Sequence, residues 1–279
     1  MTLRTILVSL TSTATARQLL DAAAVLARRD NAHVIGLYVT ESLVVYPDIA
    51  MHIPEVSYQD FAASQRAHAQ EVKAIFDSFA AAQDFATEWR KISSESGFLA
   101  DSIIGCARSV DLVVIGQEDE GEDRPTINNL QERVIKESGR PVLVIPRDHE
   151  AKTLGENIVL GWSETREAAR AVHDLIGMAN PDANLRVLRI GKPPGNTLSD
   201  HAANDLAVAL SRHGPNVELV HRDKDGEKIS DVLSQEAFEM GADMMATGAF
   251  GHSRAYDFVI GAATRSLLSE ARLPVLFSK

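Results

Sequence analysis

Apolar residues along this chain alternate between short strand-like runs and helix-period stretches, and the whole alternation happens twice. RTILVSL is a β-branched and aliphatic run, and a polar turn follows it. In the next stretch Leu19, Leu20, Ala23, Leu26 and Ala27 fall on one helical face, before the apolar run HVIGLYV. From Glu156 the same order returns in ENIVLGWSETREAARAVHDLIGMANPDANLRVLRI. Ser12 or Thr13 in the first copy and Thr165 in the second have the side chains of helix N-caps. The halves also end alike. Residues 111–147 and 243–279 each read as strand, loop, helix and a Pro-led strand, the last at Pro141–Pro146 and Pro274–Phe277. Between these ends lie further strands at 84–92 and 216–223, each followed by a helical pattern.

Strands alternating with helices imply a parallel sheet with right-handed crossovers. The pattern predicts an α/β chain of two tandem five-stranded parallel-sheet sandwich domains, residues 1–147 and 156–279, joined by the polar, aperiodic stretch 146–156. The first copy carries an extra segment at 40–59, read as an ordered loop, before a long helix at about 60–82.

Charge and composition narrow the chemistry. A formal net charge of −11 argues against a general nucleic-acid binder, though not against a small anion held at a helix N-terminus. No apolar run approaches the ~20 residues of a membrane span, and MTLRTILVSL lacks the features of a signal peptide, so the expected location is cytoplasmic with no membrane partner. The single cysteine, Cys106, sits in a helical pattern and reads as packing. Nine histidines are scattered without an HExxH, and neither a CxxC nor a G-x-S-x-G elbow occurs. No metal site and no catalytic set is expected.

The candidate site is TGAFGHSRAYDFVIGAATRS, residues 247–266. MMAT (244–247) ends a buried strand, and ligands of open α/β sheets sit outside the carboxyl ends of strands. Gly248 and Gly251 there let backbone approach a ligand. Gly261 is expected to open the next helix, whose first amides would stabilise a phosphate, with Thr264 and Ser253 as hydroxyl donors and Arg254 as a cation. Glycines at a turn account for the same pattern without a ligand. The stretch is neither a P-loop nor a G-x-G-x-x-G fingerprint.

The spacing G-x2-G-x9-G of Gly248, Gly251 and Gly261, with TRSLLSEARLPVL after it and IVLGWSETREAARAV before it, resembles the universal stress protein family, and the resemblance runs through the chain twice. It implies an adenine-nucleotide-hydrolase-like fold in a tandem, pseudo-two-fold arrangement of the bacterial kind, and a role in stress response. Members with the full motif bind ATP. Carried over, Thr247 would lie near adenine, Gly248, Gly251, His252 and Ser253 would touch ribose and phosphates, and Gly261 and Ala262 would offer amides to the phosphate tail. Two positions depart from the family. Ala262 stands where a Ser or Thr often follows the third glycine, and Ser163, after Trp162, stands where an Asp often follows the first strand. Trp162 reads either as a base-stacking ring or as a packed strand-end residue.

In the first copy Gly116 matches Gly248, but Asp119 takes the place of Gly251, and Asn128 and Asn129 those of Gly261 and Ala262. Glu118, Asp119, Glu120, Glu122 and Asp123 would repel phosphates, so this half is expected to bind no nucleotide. The acidic run also raises a divalent-cation reading, against the plainer one of a solvated loop. The leading expectation is a stress-response protein that binds ATP, with or without Mg, or another adenine nucleotide in its second domain as a regulatory ligand, with an unidentified protein partner. The alternatives are a nucleotide-free scaffold and a slow ATP hydrolase. In the family the final strands pair edge to edge. A tandem chain can make this pairing internally, as a pseudo-dimeric monomer, with a homodimer of such chains the other option.

Overall fold

In the computed structural model, which describes residues 2–41, 55–94, 98–117, 129–150, 152–191, 198–251 and 257–279, strand β1 (Thr5–Ser9) is buried almost throughout. It leads to α1 (Thr13–Asp30), β2 (His33–Thr40), α2 (Glu55–Ala80), β3 (Thr87–Ser93), α3 (Leu99–Ala107), β4 (Leu112–Gly116), α4 (Leu130–Glu137) and β5 (Val142–Ile145). The second half repeats the order with β6 (Asn157–Trp162), α5 (Arg166–Ile176), β7 (Asn184–Ile190), α6 (Leu198–Ser211), β8 (Asn216–Arg222), α7 (Ile229–Met240), β9 (Met244–Gly248), α8 (Asp257–Glu270) and β10 (Val275–Ser278).

Local chemistry sets the helix bounds. The Ser12 hydroxyl accepts the Ala14 amide at 3.2 Å and so opens α1. The helix closes where Asn31 turns left-handed, at φ 51°, and donates its N–H to Ala27 O. Thr165 opens α5 in the same way, its Oγ1 accepting the Ala168 amide at 3.2 Å. The expected helix at 60–82 is α2, which starts earlier, at Glu55. The strand expected from residue 84 begins only at Thr87. The Ala82 and Gln83 amides donate back to Phe79 O and Ala80 O in a turn, and the buried Phe85 ring packs on Phe79 with centroids 6.3 Å apart. Phe85 is apolar because it anchors that turn. Most of the extra segment, 42–54, lies outside the described residues.

All ten strands form one sheet in the order β3-β2-β1-β4-β5-β10-β9-β6-β7-β8. Every pairing is parallel except β5 with β10, which is antiparallel with Leu143 opposite Leu276. Each half therefore supplies five parallel strands, and the Pro-led strands join them back to back. The expected internal edge pairing is present.

A local device marks the repeat. Asp111, before β4, accepts the Arg4 and Thr5 amides at 2.8 and 2.9 Å. Asp243, before β9, accepts the Gly155, Glu156 and Asn157 amides. In both halves a carboxylate fixes the start of the first strand to the start of the fourth.

The sheet is covered on both faces, and each core runs through both halves. One face holds Leu19, Leu20, Phe76, Phe79, Leu175 and Leu210. The other holds Ile103, Val134, Leu233, Leu267 and Phe277. Polar ties also cross between halves. From α1, Arg29 donates to Gly177 O at 2.8 Å, to Asn180 Oδ1 at 3.1 Å and to Met178 O, covering carbonyls at the end of α5. On the opposite face Arg265 meets Glu132 at 3.4 Å.

Candidate functional site

The chain leaves β6 toward β7 on one side, while β9 lies on the other. This reversal at β6 is a topological switch point, where strand-to-helix loops diverge and a crevice opens. Register brings the strand ends level: Gly161 lies opposite Thr247 and Leu188.

A cavity of about 90 Å³ sits there. Leu188, Ile190, Leu233 and Leu267 give it apolar walls, and Ser163, Thr247, Gly248 and Thr264 line its polar side. Gly161 creates part of the space. A Cβ at that position would stand 3.1 Å from Leu233 Cδ2 and 3.4 Å from Thr247 Oγ1. The cavity is of a size for the edge of a flat ring, and the rest of any larger ligand would lie over the loop after β9.

That loop is pressed onto the first turn of α5. A Cβ on Gly248 would stand 2.5 Å from the Ala168 nitrogen. One on Gly251 would stand 2.9 Å from Glu167 Oε2 and 3.7 Å from Thr165 Oγ1. Between them Phe250 is buried at φ 50° and donates its amide to Thr264 Oγ1 at 3.4 Å. Thr264 is thereby tied to the loop backbone. Ala249 N donates to Ser278 O at 2.8 Å, pinning the loop to β10.

The other expected residues fall at different distances from this centre. Thr247 Oγ1 donates to Gly248 O at 3.2 Å. Ser163 Oγ is exposed and 3.3 Å from Thr165 Oγ1, at the rim. Gly261 does not open the helix: α8 begins at Asp257, so Gly261 is its fifth residue and Ala262, exposed, its sixth. The helix's unpaired amides belong to the turn before them. His252, Ser253 and Arg254 lie outside the described residues. Trp162 packs against the core on the opposite face of the sheet from Leu233, and its buried Nε1 has no hydrogen-bond partner among the described residues.

Gly161, Leu188, Leu233 and Glu167 were not anticipated as site residues. A glycine inside a buried strand was the available signal for Gly161. Glu167 reads in sequence only as an acid in a first helical turn. In the structure it is 3% exposed and paired through Oε1 with Arg166 Nε at 2.6 Å.

The first half differs at each corresponding point. The atoms nearest a Cβ on Gly116 would be those of Leu19 and Thr15, at 3.7–3.9 Å. Gln131, buried, donates to Gly116 O at 2.6 Å and closes that strand end from the helix side. Asn129 takes a left-handed conformation, φ 59°, directly before α4. The acidic residues 118–123 and Asn128 lie outside the described residues. Helix α4 does reach the second half's loop. Lys136 Nζ stands 4.3 Å from the Phe250 ring centroid, and the same lysine pairs with Glu132. Burial alone would raise the Glu132 carboxyl, but Lys136 and Arg265 together hold it below the usual range.

The fold and crevice define a tandem α/β protein with a small cavity at the switch point of its second half. The model of the universal stress protein family matches residues 2–146 and again 156–279, so the chain belongs to that family. A universal stress protein of Synechocystis sp. is 23% identical over 189 residues, 67% of this chain and 64% of that protein, so the match spans just under two thirds of the relative's length. Among solved structures, a universal stress protein from Archaeoglobus fulgidus superposes with a TM-score of 0.70 at 13% identity, covering 99% of this chain and 96% of that one. A functionally unknown protein from Pseudomonas aeruginosa superposes at 0.56 with 15% identity, covering 99% and 92%. No helix among the described residues is long and apolar enough to cross a membrane.

Proposed function

We propose that the second half, residues 156–279, binds an adenine nucleotide as a regulatory ligand, without turnover, in a cytoplasmic stress-response protein. The observation that carries this reading is the missing side chain at Gly161, which leaves room for a cavity with apolar walls at the sheet's switch point. An adenine edge enters between Leu188 and Leu233, near Thr247, with Ser163 at the rim. Ribose and phosphates lie over Gly248, Gly251, His252 and Ser253. Gly261, Ala262 and Thr264 form the flank of α8, the first two through small size rather than free amides. Residues 1–147 act as the supporting half and bind no nucleotide. The test is native mass spectrometry of the full chain with and without MgATP and MgADP. One nucleotide per chain is expected, and two would overturn the assignment of the first half.

A second reading has its own support. Gly248 is needed for packing against Ala168 whatever binds there, so its presence alone fits a nucleotide-free scaffold. Absence of any bound adenine compound at millimolar concentration would make that reading the leading one.

A further inference from the structure

We propose that the groove between α7 and α8 binds a small guanidinium compound, arginine or its decarboxylated relative, at the position that a guanidinium of the chain itself takes between the matching helices of the first half.

The first half supplies the template. There Arg133, on α4, meets Asp101 on α3 at 2.5 Å and Glu137 at 3.3 Å, and its guanidinium carbon lies 6.0 Å from the Phe98 ring centroid. Both carboxylates recur in the second half. Asp101 and Asp231 are each the third residue of their helix. Glu137 and Glu270 are each the last of theirs, four residues before Pro141 and Pro274. Arg133 stands four residues before Glu137, but the same count back from Glu270 gives Ser266. In place of the arginine is a short hydroxyl side chain, and a cavity of about 650 Å³ is lined by Asp231, Phe238, Ser266, Glu270 and Arg272 among others. That is the size of a small-molecule site. It is distinct from the cavity at the switch point, although Leu267 lines both.

Among the described residues no cation bridges the two acids. Asp231 accepts from the Ser230 hydroxyl at 3.3 Å. Lys228 approaches Glu270 only to 4.0 Å, with both side chains more than half exposed, a surface pair of little strength. A guanidinium suits the pair because its five N–H donors can serve two carboxylates at once. Phe238 is 81% exposed and offers a cation the kind of ring that Phe98 offers Arg133. Arg272, exposed on the same lining, suits a ligand with a carboxylate at its other end.

The experiment is calorimetric titration of the full chain with arginine, agmatine and citrulline, whose urea group has the shape of a guanidinium without its charge. One equivalent of arginine or agmatine should bind, and citrulline at least about tenfold more weakly. Asp231→Asn should weaken arginine or agmatine by about tenfold or more, the loss of one charge-assisted pair. Ser266→Arg, which restores the arrangement of the first half, should abolish binding, with circular dichroism confirming that each variant is folded. The ranking against citrulline is read on the natural protein, so it tests the proposal whatever the variants do. No saturable binding of either guanidinium compound at concentrations on the order of 10 mM would overturn the proposal. Citrulline binding as tightly as arginine would overturn it too, as would affinity unchanged in folded Asp231→Asn and Ser266→Arg. None of these outcomes bears on nucleotide binding at the switch point.

Discussion

The Ala168 nitrogen lies 2.5 Å from the point a Cβ on Gly248 would occupy. The atoms nearest the matching point on Gly116 are side-chain atoms at 3.7–3.9 Å. The two equivalent glycines are thus held to different tolerances. Gly248→Ala forces helix α5 away from the sheet and should cost about 2–3 kcal/mol. Gly116→Ala should cost less than about 1 kcal/mol. Urea unfolding of both variants, compared at constant m, checks the difference.

Filling the cavity should separate binding from folding. Gly161→Val directs methyl groups toward Leu233 and Thr247, whose nearest atoms are 3.1 and 3.4 Å from the added Cβ. A stability loss of about 1–2 kcal/mol is expected as Leu233 adjusts. Adenine-compound affinity should fall at least roughly tenfold, since the ring edge loses its space. Thermal melting and calorimetric titration on the same preparation measure the two effects.

Arg29 serves the other half of the molecule. Its guanidinium satisfies Gly177 O and Met178 O and meets Asn180. Arg29→Ala leaves these groups at the end of α5 short of a donor and should cost about 1–3 kcal/mol. Because the lost bonds cross between halves, denaturation of the variant should be broader than that of the natural protein, or split, as followed by circular dichroism over a urea series.

Among the groups that make stability depend on pH, His149 and Glu132 act in distinct windows, with Asp30 sharing the lower one. Burial lowers His149 from its ordinary 6.5, with Asp243 opposing, so the folded state favours neutral imidazole. The unfolded chain then binds the extra proton first, and His149's contribution is lost as pH falls below about 6.5. Glu132 is held below its ordinary 4.5, and its contribution, complete above that value, is lost as pH falls further through the folded-state value. Unfolding free energy measured from pH 8 to 3 should decline in two stages. His149→Gln should flatten the upper stage, and Glu132→Gln the lower.

Much of the architecture was legible because its causes are periodic. Leu19, Leu20, Leu26 and Ala27 repeat at helical spacing, and they are buried. Ser12 and Thr165 are caps whose chemistry is local to a few residues, and both act as such. In the sequence Gly261 reads as the boundary of α8, whereas it sits inside the helix with open space around its Cβ position. Glu167 was invisible as a site feature because its importance comes from Gly251, more than eighty residues later in the chain. Gly161 was overlooked for a similar reason: its meaning depends on Leu233, brought near by a helix from another part of the second half.

The antiparallel seam between β5 and β10 joins partners that belong to one polypeptide. Each half meets the other at an effective concentration set by the tether, of millimolar order for short flexible linkers. Dilution cannot part them, so their cohesion carries no mass-action term and the melting temperature should stay level across a protein dilution series. A covalent pair is also a fixed pair. One half can accumulate changes that erase a ligand site while the other keeps its own, and every molecule still carries one of each.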